Sequence, residues 1–187
     1  MNKKVFLLVA IILPVFLYAK TEDSRIIEIR DQYKAIESEL KSYKVIEKKF
    51  EMSAPGEGVI KYYYKNKELV KIRTEFHGDG MSSILSLYYT EGSLFFVFEE
   101  METFPIWEGM EDSTGKTENR CYFYKNKMIR WISKSFEDKM ATHYREKGTK
   151  EFIAKETQML KESENWRAYE GSKVKNFDEF SDKLQDR

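Results

Sequence analysis

The polar string Glu118-Asn119-Arg120 runs directly into the aromatic segment Tyr122-Phe123-Tyr124, and a second basic-aromatic pair, Arg130-Trp131, follows shortly after. Two guanidinium groups beside a tryptophan can recognise an anion or a carboxylate. Arginine supplies bidentate hydrogen bonds and the indole a stacking surface. The same residues have a structural use. A guanidinium drawn into a sheet needs a partner, and Glu118 or the loop acids Glu108, Glu111 and Asp112 could supply one. A second candidate surface is aromatic: Tyr63, Tyr88 and Phe95, with Phe123, fall on one face of the expected sheet. Tyrosine favours surfaces that are part apolar and part wet, so this face would suit an apolar ligand, a glycan or a protein. It is equally the face that a C-terminal helix would cover.

Other chemistries find less support. The two histidines, His77 and His143, are far apart; His77 precedes Gly78-Asp79-Gly80, a turn string, and His143 lies in a charged stretch. A hydrolytic triad needs a histidine against a nucleophile. A zinc site needs three or four Cys, His or acidic ligands at short spacing. Neither pattern occurs. Glu99, Glu100 and Glu102 do not follow calcium-loop spacing, and no phosphate-cradling glycine loop is present. No metal or cofactor is expected. The single cysteine, Cys121, reads as a small buried hydrophobe on a strand.

Three hairpin-like strings position these residues: YYYKNKELVKI at 62–72, LYYTEGSLFFV at 87–97 and YFYKNKMIRWI at 122–132. Glu91-Gly92 suits a two-residue type I′ turn, and Asn66-Lys67 and Asn126-Lys127 read as weaker versions. Uninterrupted pairing from those turns sets Tyr89 opposite Leu94, Leu87 opposite Phe96, Leu85 opposite Phe98, Tyr64 opposite Leu69, Tyr124 opposite Ile129 and Tyr122 opposite Trp131. It puts Arg120 on the core face with Trp131, and Arg130 on the other. The second face is then too apolar for a sheet with one solvated side. Either the sheet curls or something covers it.

Ahead of the hairpins, Ile26, Ile29, Tyr33, Ile36, Leu40 and Tyr43 form one helical stripe, with Ser24 as N-cap. The stripe is too short for a sustained coiled coil and suits a helix lying on its own sheet. Phe152, Ile153, Met159, Leu160 and Trp166 predict a second helix over about 149–169, stopped near Gly171. Residues 172–187 read as a loosely held or short helical tail, with Phe177 and Phe180 as anchors. The expected fold is α+β: an antiparallel six-strand meander of three hairpins with N-terminal and C-terminal helices packed on it.

Residues 1–19 read as an export signal: Lys3 and Lys4, an apolar run from Val5 to Tyr18, then Ala19. The run is shorter than the roughly 20 residues that span a bilayer, so cleavage and a periplasmic or secreted protein are expected, without a stable membrane span. Residues 20–171 form a single domain. The balance of 32 basic and 32 acidic residues gives no field to draw in nucleic acid. A monomer is expected.

The strings PGEG at 55–58, LVKIR at 69–73, YYTEGSLFFVFE at 88–99 and ENRCYFYKNKMIRW at 118–131 together resemble a family of exported bacterial proteins without an assigned function. The YY-turn-L element is also similar to MORN-type hairpins. The resemblance implies secretion and a helix-plus-sheet domain, and it implies no catalytic residues. Two functions remain. One is an exported, non-enzymatic binding or interaction module that uses the aromatic sheet face. The alternative is a hydrolase or other enzyme that uses carboxylates and arginines around 99–120.

Overall fold

The structure is a computed structural model that describes residues 23–105, 115–135 and 141–185. Eight antiparallel strands follow one another in chain order across one sheet. They are β1 (Lys44–Glu51), β2 (Gly56–Lys65), β3 (Glu68–Gly78), β4 (Met81–Thr90), β5 (Ser93–Thr103), β6 (Gly115–Tyr124), β7 (Lys127–Ser135) and β8 (Ala141–Arg145). Helix α1 (Ser24–Glu39) precedes the sheet, and α2 (Lys150–Tyr169) and α3 (Phe177–Gln185) follow it. The α+β meander is as expected, but with eight strands rather than six. The two additional strands are the edges. In β1 only Phe50 is fully buried, and β8 is five residues long and mostly exposed. Neither carries the apolar alternation that marks a half-buried strand.

All three hairpins share one irregularity. Each turns through two residues of positive φ: Asn66-Lys67, Glu91-Gly92 and Lys125-Asn126. Two strand pairs follow, and then one extra residue on the second strand. Tyr64 pairs with Leu69 but Tyr63 with Lys71, leaving Val70 unpaired. Tyr89 pairs with Leu94 but Tyr88 with Phe96, leaving Phe95 unpaired. Phe123 pairs with Met128 but Tyr122 with Arg130, leaving Ile129 unpaired. These are β-bulges. The third turn is Lys125-Asn126 rather than Asn126-Lys127. Beyond each bulge the partners differ from uninterrupted pairing: Leu87 faces Val97, Leu85 faces Glu99, and Cys121 faces Trp131.

The bulges account for the excess of apolar residues on the second face. Phe95 and Phe96 both point to it, although they are adjacent in sequence. Both faces are covered. On one, Ile26 and Ile29 of α1, flanked by Tyr33 and Ile36, pack against Tyr88, Phe95, Phe96, Tyr122 and Ile132. On the other, Phe152, Met159, Trp166 and Tyr169 of α2 pack against Tyr62, Ile72, Leu87, Val97, Cys121 and Phe123. The stripe of α1 therefore lies on its own sheet. Its N-cap is Asp23, one residue before the expected Ser24, with a carboxylate accepting the Arg25 amide.

A buried ion pair pins α1 down. Lys71 Nζ donates to Glu37 Oε1 at 2.6 Å, and the Tyr88 hydroxyl donates to the same oxygen at 2.9 Å. At the far end, α2 is capped by Thr149, whose hydroxyl oxygen accepts the Phe152 amide. The chain after Gly171, expected as a loosely held or short helical tail, forms the short helix α3. It is tied down because the Phe177 ring stacks on Trp166 at 3.4 Å between centroids. The expected signal at residues 1–19 and the loop acids Glu108, Glu111 and Asp112 lie outside the described residues.

Candidate functional site: the groove between helix α1 and strands β5 and β6

The bulged register redistributes the sequence-predicted residues. Glu118, Arg120 and Arg130 share the α1 face, because Arg120 pairs with Ile132 and Arg130 with Tyr122. Trp131 pairs with Cys121 on the opposite face. There its indole Nε1 donates to Asn119 Oδ1 at 2.9 Å, and the Arg145 guanidinium lies over its ring. Arg120 and Trp131 therefore do not form one site, and Arg120 and Arg130 are not on opposite faces. The third bulge, at Ile129, exchanges the faces.

The aromatic face is not an open surface. Tyr88 and Phe95 are buried beneath α1, and Phe123 is buried beneath α2. Tyr63 is half-buried, with Lys71 Nζ 5.5 Å from its ring centroid. The cover of Tyr88 and Phe95 comes from α1, not from a C-terminal helix. A ligand meets this face only where the helix ends its contact.

It does so at a groove of about 340 Å³ between α1 and the β5–β6 strands, near the low end of small-molecule sites. Phe96, Phe98 and Tyr122 line it from the sheet, and Ile29 and Tyr33 from the helix. Tyr33 meets Phe96 edge-on at 5.2 Å. Three cations border this apolar bed: Arg30 and Lys34 from α1, and Arg120 from β6. The eight residues lining the groove include no acid. Arg30 lies over the Tyr122 ring at 5.9 Å, and Arg120 over the Phe98 ring at the same distance.

Arg120 is both paired and accessible. Its Nη2 lies 2.8 Å from Glu118 Oε1, with Lys134 Nζ 3.8 Å from the same oxygen. That carboxylate oxygen is buried and makes no contact of hydrogen-bond geometry. The Arg120 side chain keeps 40% of its surface exposed. Burial pushes the Tyr33 phenol upward, helped by Glu37 and opposed by Arg120. Arg30, Tyr33, Lys34, Phe96, Phe98 and Tyr122 escaped sequence reasoning as site residues. The helical offset was readable, since Arg30 and Lys34 flank Ile29 and Tyr33 on α1. The sheet side was not readable without the bulges.

The remaining sequence candidates do not converge. His77 lies near the end of β3 and His143 lies in β8, both exposed. Among the described residues no group of three His, Cys, Asp or Glu could hold a metal. Cys121 is fully buried, and burial pushes its thiol up to about 12. Such a thiol is not a nucleophile at neutral pH. No described helix is long and apolar enough to cross a membrane. Comparison with family models, with curated proteins and with solved structures finds no match.

Proposed function

We propose that this chain is an exported, non-enzymatic binding module whose groove between α1 and β5–β6 takes a small aromatic or apolar molecule bearing an anionic group. The observation that carries the reading is the composition of the groove: an aromatic bed bordered by Arg30, Lys34 and Arg120, with no acid among its lining residues. Aromatic walls supply apolar area and stacking, and guanidinium groups supply charge-assisted hydrogen bonds to a carboxylate or sulfonate. Three of the carboxylates offered for an enzymatic alternative around 99–120 are engaged structurally. Glu99 holds Lys155, Glu100 holds Lys116, and Glu118 holds Arg120. That occupancy favours binding over acid–base chemistry. Export rests on the pattern of residues 1–19; N-terminal sequencing of exported protein should begin near Lys20, and an intact Met1 would reject cleavage.

Titration with 8-anilinonaphthalene-1-sulfonate, an aromatic anion whose fluorescence rises in apolar surroundings, tests the site. The double variant Arg30→Met/Arg120→Met keeps apolar bulk and removes two charges. It should weaken binding about tenfold or more, which is roughly 1.4 kcal/mol or more. Unchanged affinity in a folded double variant would reject the reading.

A further inference from the structure

We propose that β1 is a dimerisation edge, where two copies of this chain join their sheets by antiparallel pairing of residues 43–47. β1 is an outer strand of the sheet. Its outward side follows from one hydrogen bond: the Glu51 amide donates to Lys175 O at 2.9 Å, away from β2. β1 pairs with β2 without a register shift, and backbone direction alternates along a regular strand. The N–H and C=O groups of Val45, Glu47 and Lys49 therefore point outward as well. Among the described residues the only bridge on that side joins Glu51 to Asn176. The chain thus adds its own backbone at one end of this edge and leaves the outward groups of Val45 and Glu47 without a strand. Unpaired strand groups are complementary to another strand rather than to a small molecule.

The side chains fit a second copy. Sheet edges are ordinarily guarded by lysines, proline, bulges or short length. β1 holds no proline in its eight residues and no bulge. Val45 is 43% exposed and Ile46 37%, one on each face. Lys48 does not guard the edge, because its ammonium is turned to the end of α2, donating to Tyr169 O at 2.9 Å and lying 4.0 Å from the Tyr169 ring centroid. Lys44 is the one lysine within 43–47, and the pairing uses it. A two-fold axis at Val45 sets Val45 against itself, Ile46 against the partner's Lys44 and Glu47 against the partner's Tyr43, so no like charges meet. An axis at Glu47 would oppose two carboxylates, and one at Ile46 would oppose Lys44 to Lys48. Ile46 and Lys44 also border an open groove of about 590 Å³, which leaves room on this face for the partner's Lys44. The other edge, β8, is only five residues long and ends in Arg145 over the Trp131 ring.

Sedimentation velocity of the full-length mature chain, from micromolar to near-millimolar concentration, tests the assignment. It should show a monomer–dimer equilibrium, so that the monomer expected from the sequence holds only when dilute. Glu47→Pro removes one outward donor at an edge position that tolerates proline, and should weaken the dimer about tenfold or more. Ile46→Lys sets a lysine against the partner's Lys44 and should weaken it likewise. Ile46→Glu sets opposite charges together and should keep the dimer. Melting temperatures of the diluted variants should stay within a few degrees of wild type, which separates lost pairing from lost folding. Should Glu47→Pro fail to fold, the two Ile46 variants decide alone. Tyr144→Asp, on β8, should leave the dimer unchanged. A chain that stays monomeric at every concentration would overturn the proposal. So would a dimer that Ile46→Lys leaves intact, or one that Ile46→Glu disrupts as strongly as Ile46→Lys.

Discussion

At the residue scale, the most deeply buried charged side chain among the described residues is Lys71, 2% exposed on β3. Burial lowers its affinity for a proton, and Glu37 restores part of it. Removing one partner of a buried ion pair leaves an uncompensated charge, so Glu37→Ala should cost about 3–5 kcal/mol. The double variant Glu37→Ala/Lys71→Met removes both charges and should recover most of that loss. A denaturant melt of the two variants measures it, and a Glu37→Ala cost below about 1 kcal/mol would mean that α1 is not held by this contact. Glu162 gives a prediction with the opposite sign from an ordinary surface carboxylate. Its folded pKa is raised above the ordinary value of 4.5. Its favourable contribution is therefore complete below pH 4.5 and is lost as pH rises through the raised value. Glu162→Gln stays neutral throughout, so its stability relative to wild type should climb from about pH 4.5 towards neutrality. A relative stability that falls over that range in urea melts would contradict the buried placement of this carboxylate.

At the element scale, the turns and the bulges divide what was legible from what was not. Glu91-Gly92 and Asn66-Lys67 were readable because a two-residue type I′ loop needs positive φ, which glycine and asparagine tolerate. The α1 and α2 stripes were readable from 3.6-residue periodicity. The bulges at Val70, Phe95 and Ile129 were not, because each extra residue is apolar and fits either face of an unbroken strand. That ambiguity moved Phe96 from the α2 face to the α1 face and separated Arg120 from Trp131. It also hid the candidate groove, whose sheet wall exists only in the bulged register. The edge strand β1 escaped for a different reason: its one buried residue, Phe50, packs over a glycine on the neighbouring strand. A Cβ on Gly58 would collide with the Phe50 ring. Gly58→Ala should therefore cost about 1–3 kcal/mol, as for other overpacked sites. A neutral result in a thermal melt would mean that β1 is not packed across β2 in this way.

At the scale of the whole molecule, one sheet carries helices on both faces, and each face leaves a groove where its helix cover ends. The two grooves differ in lining: Arg30, Lys34 and Arg120 with no acid at one, and Glu99, Glu162 and Asp178 together with Lys161 at the other. The proposed site depends on where α1 ends its contact with the sheet, because that boundary leaves Phe98 and Arg120 partly exposed while it closes over Tyr88 and Phe95. The most direct test is NMR chemical-shift mapping of the isotope-labelled mature protein titrated with 1-naphthoate. The account predicts perturbed backbone amides clustered at Ile29, Arg30, Tyr33, Phe98, Arg120 and Tyr122. Perturbations centred instead on Leu85, Met101 and Glu162, or none at saturating probe, would contradict it.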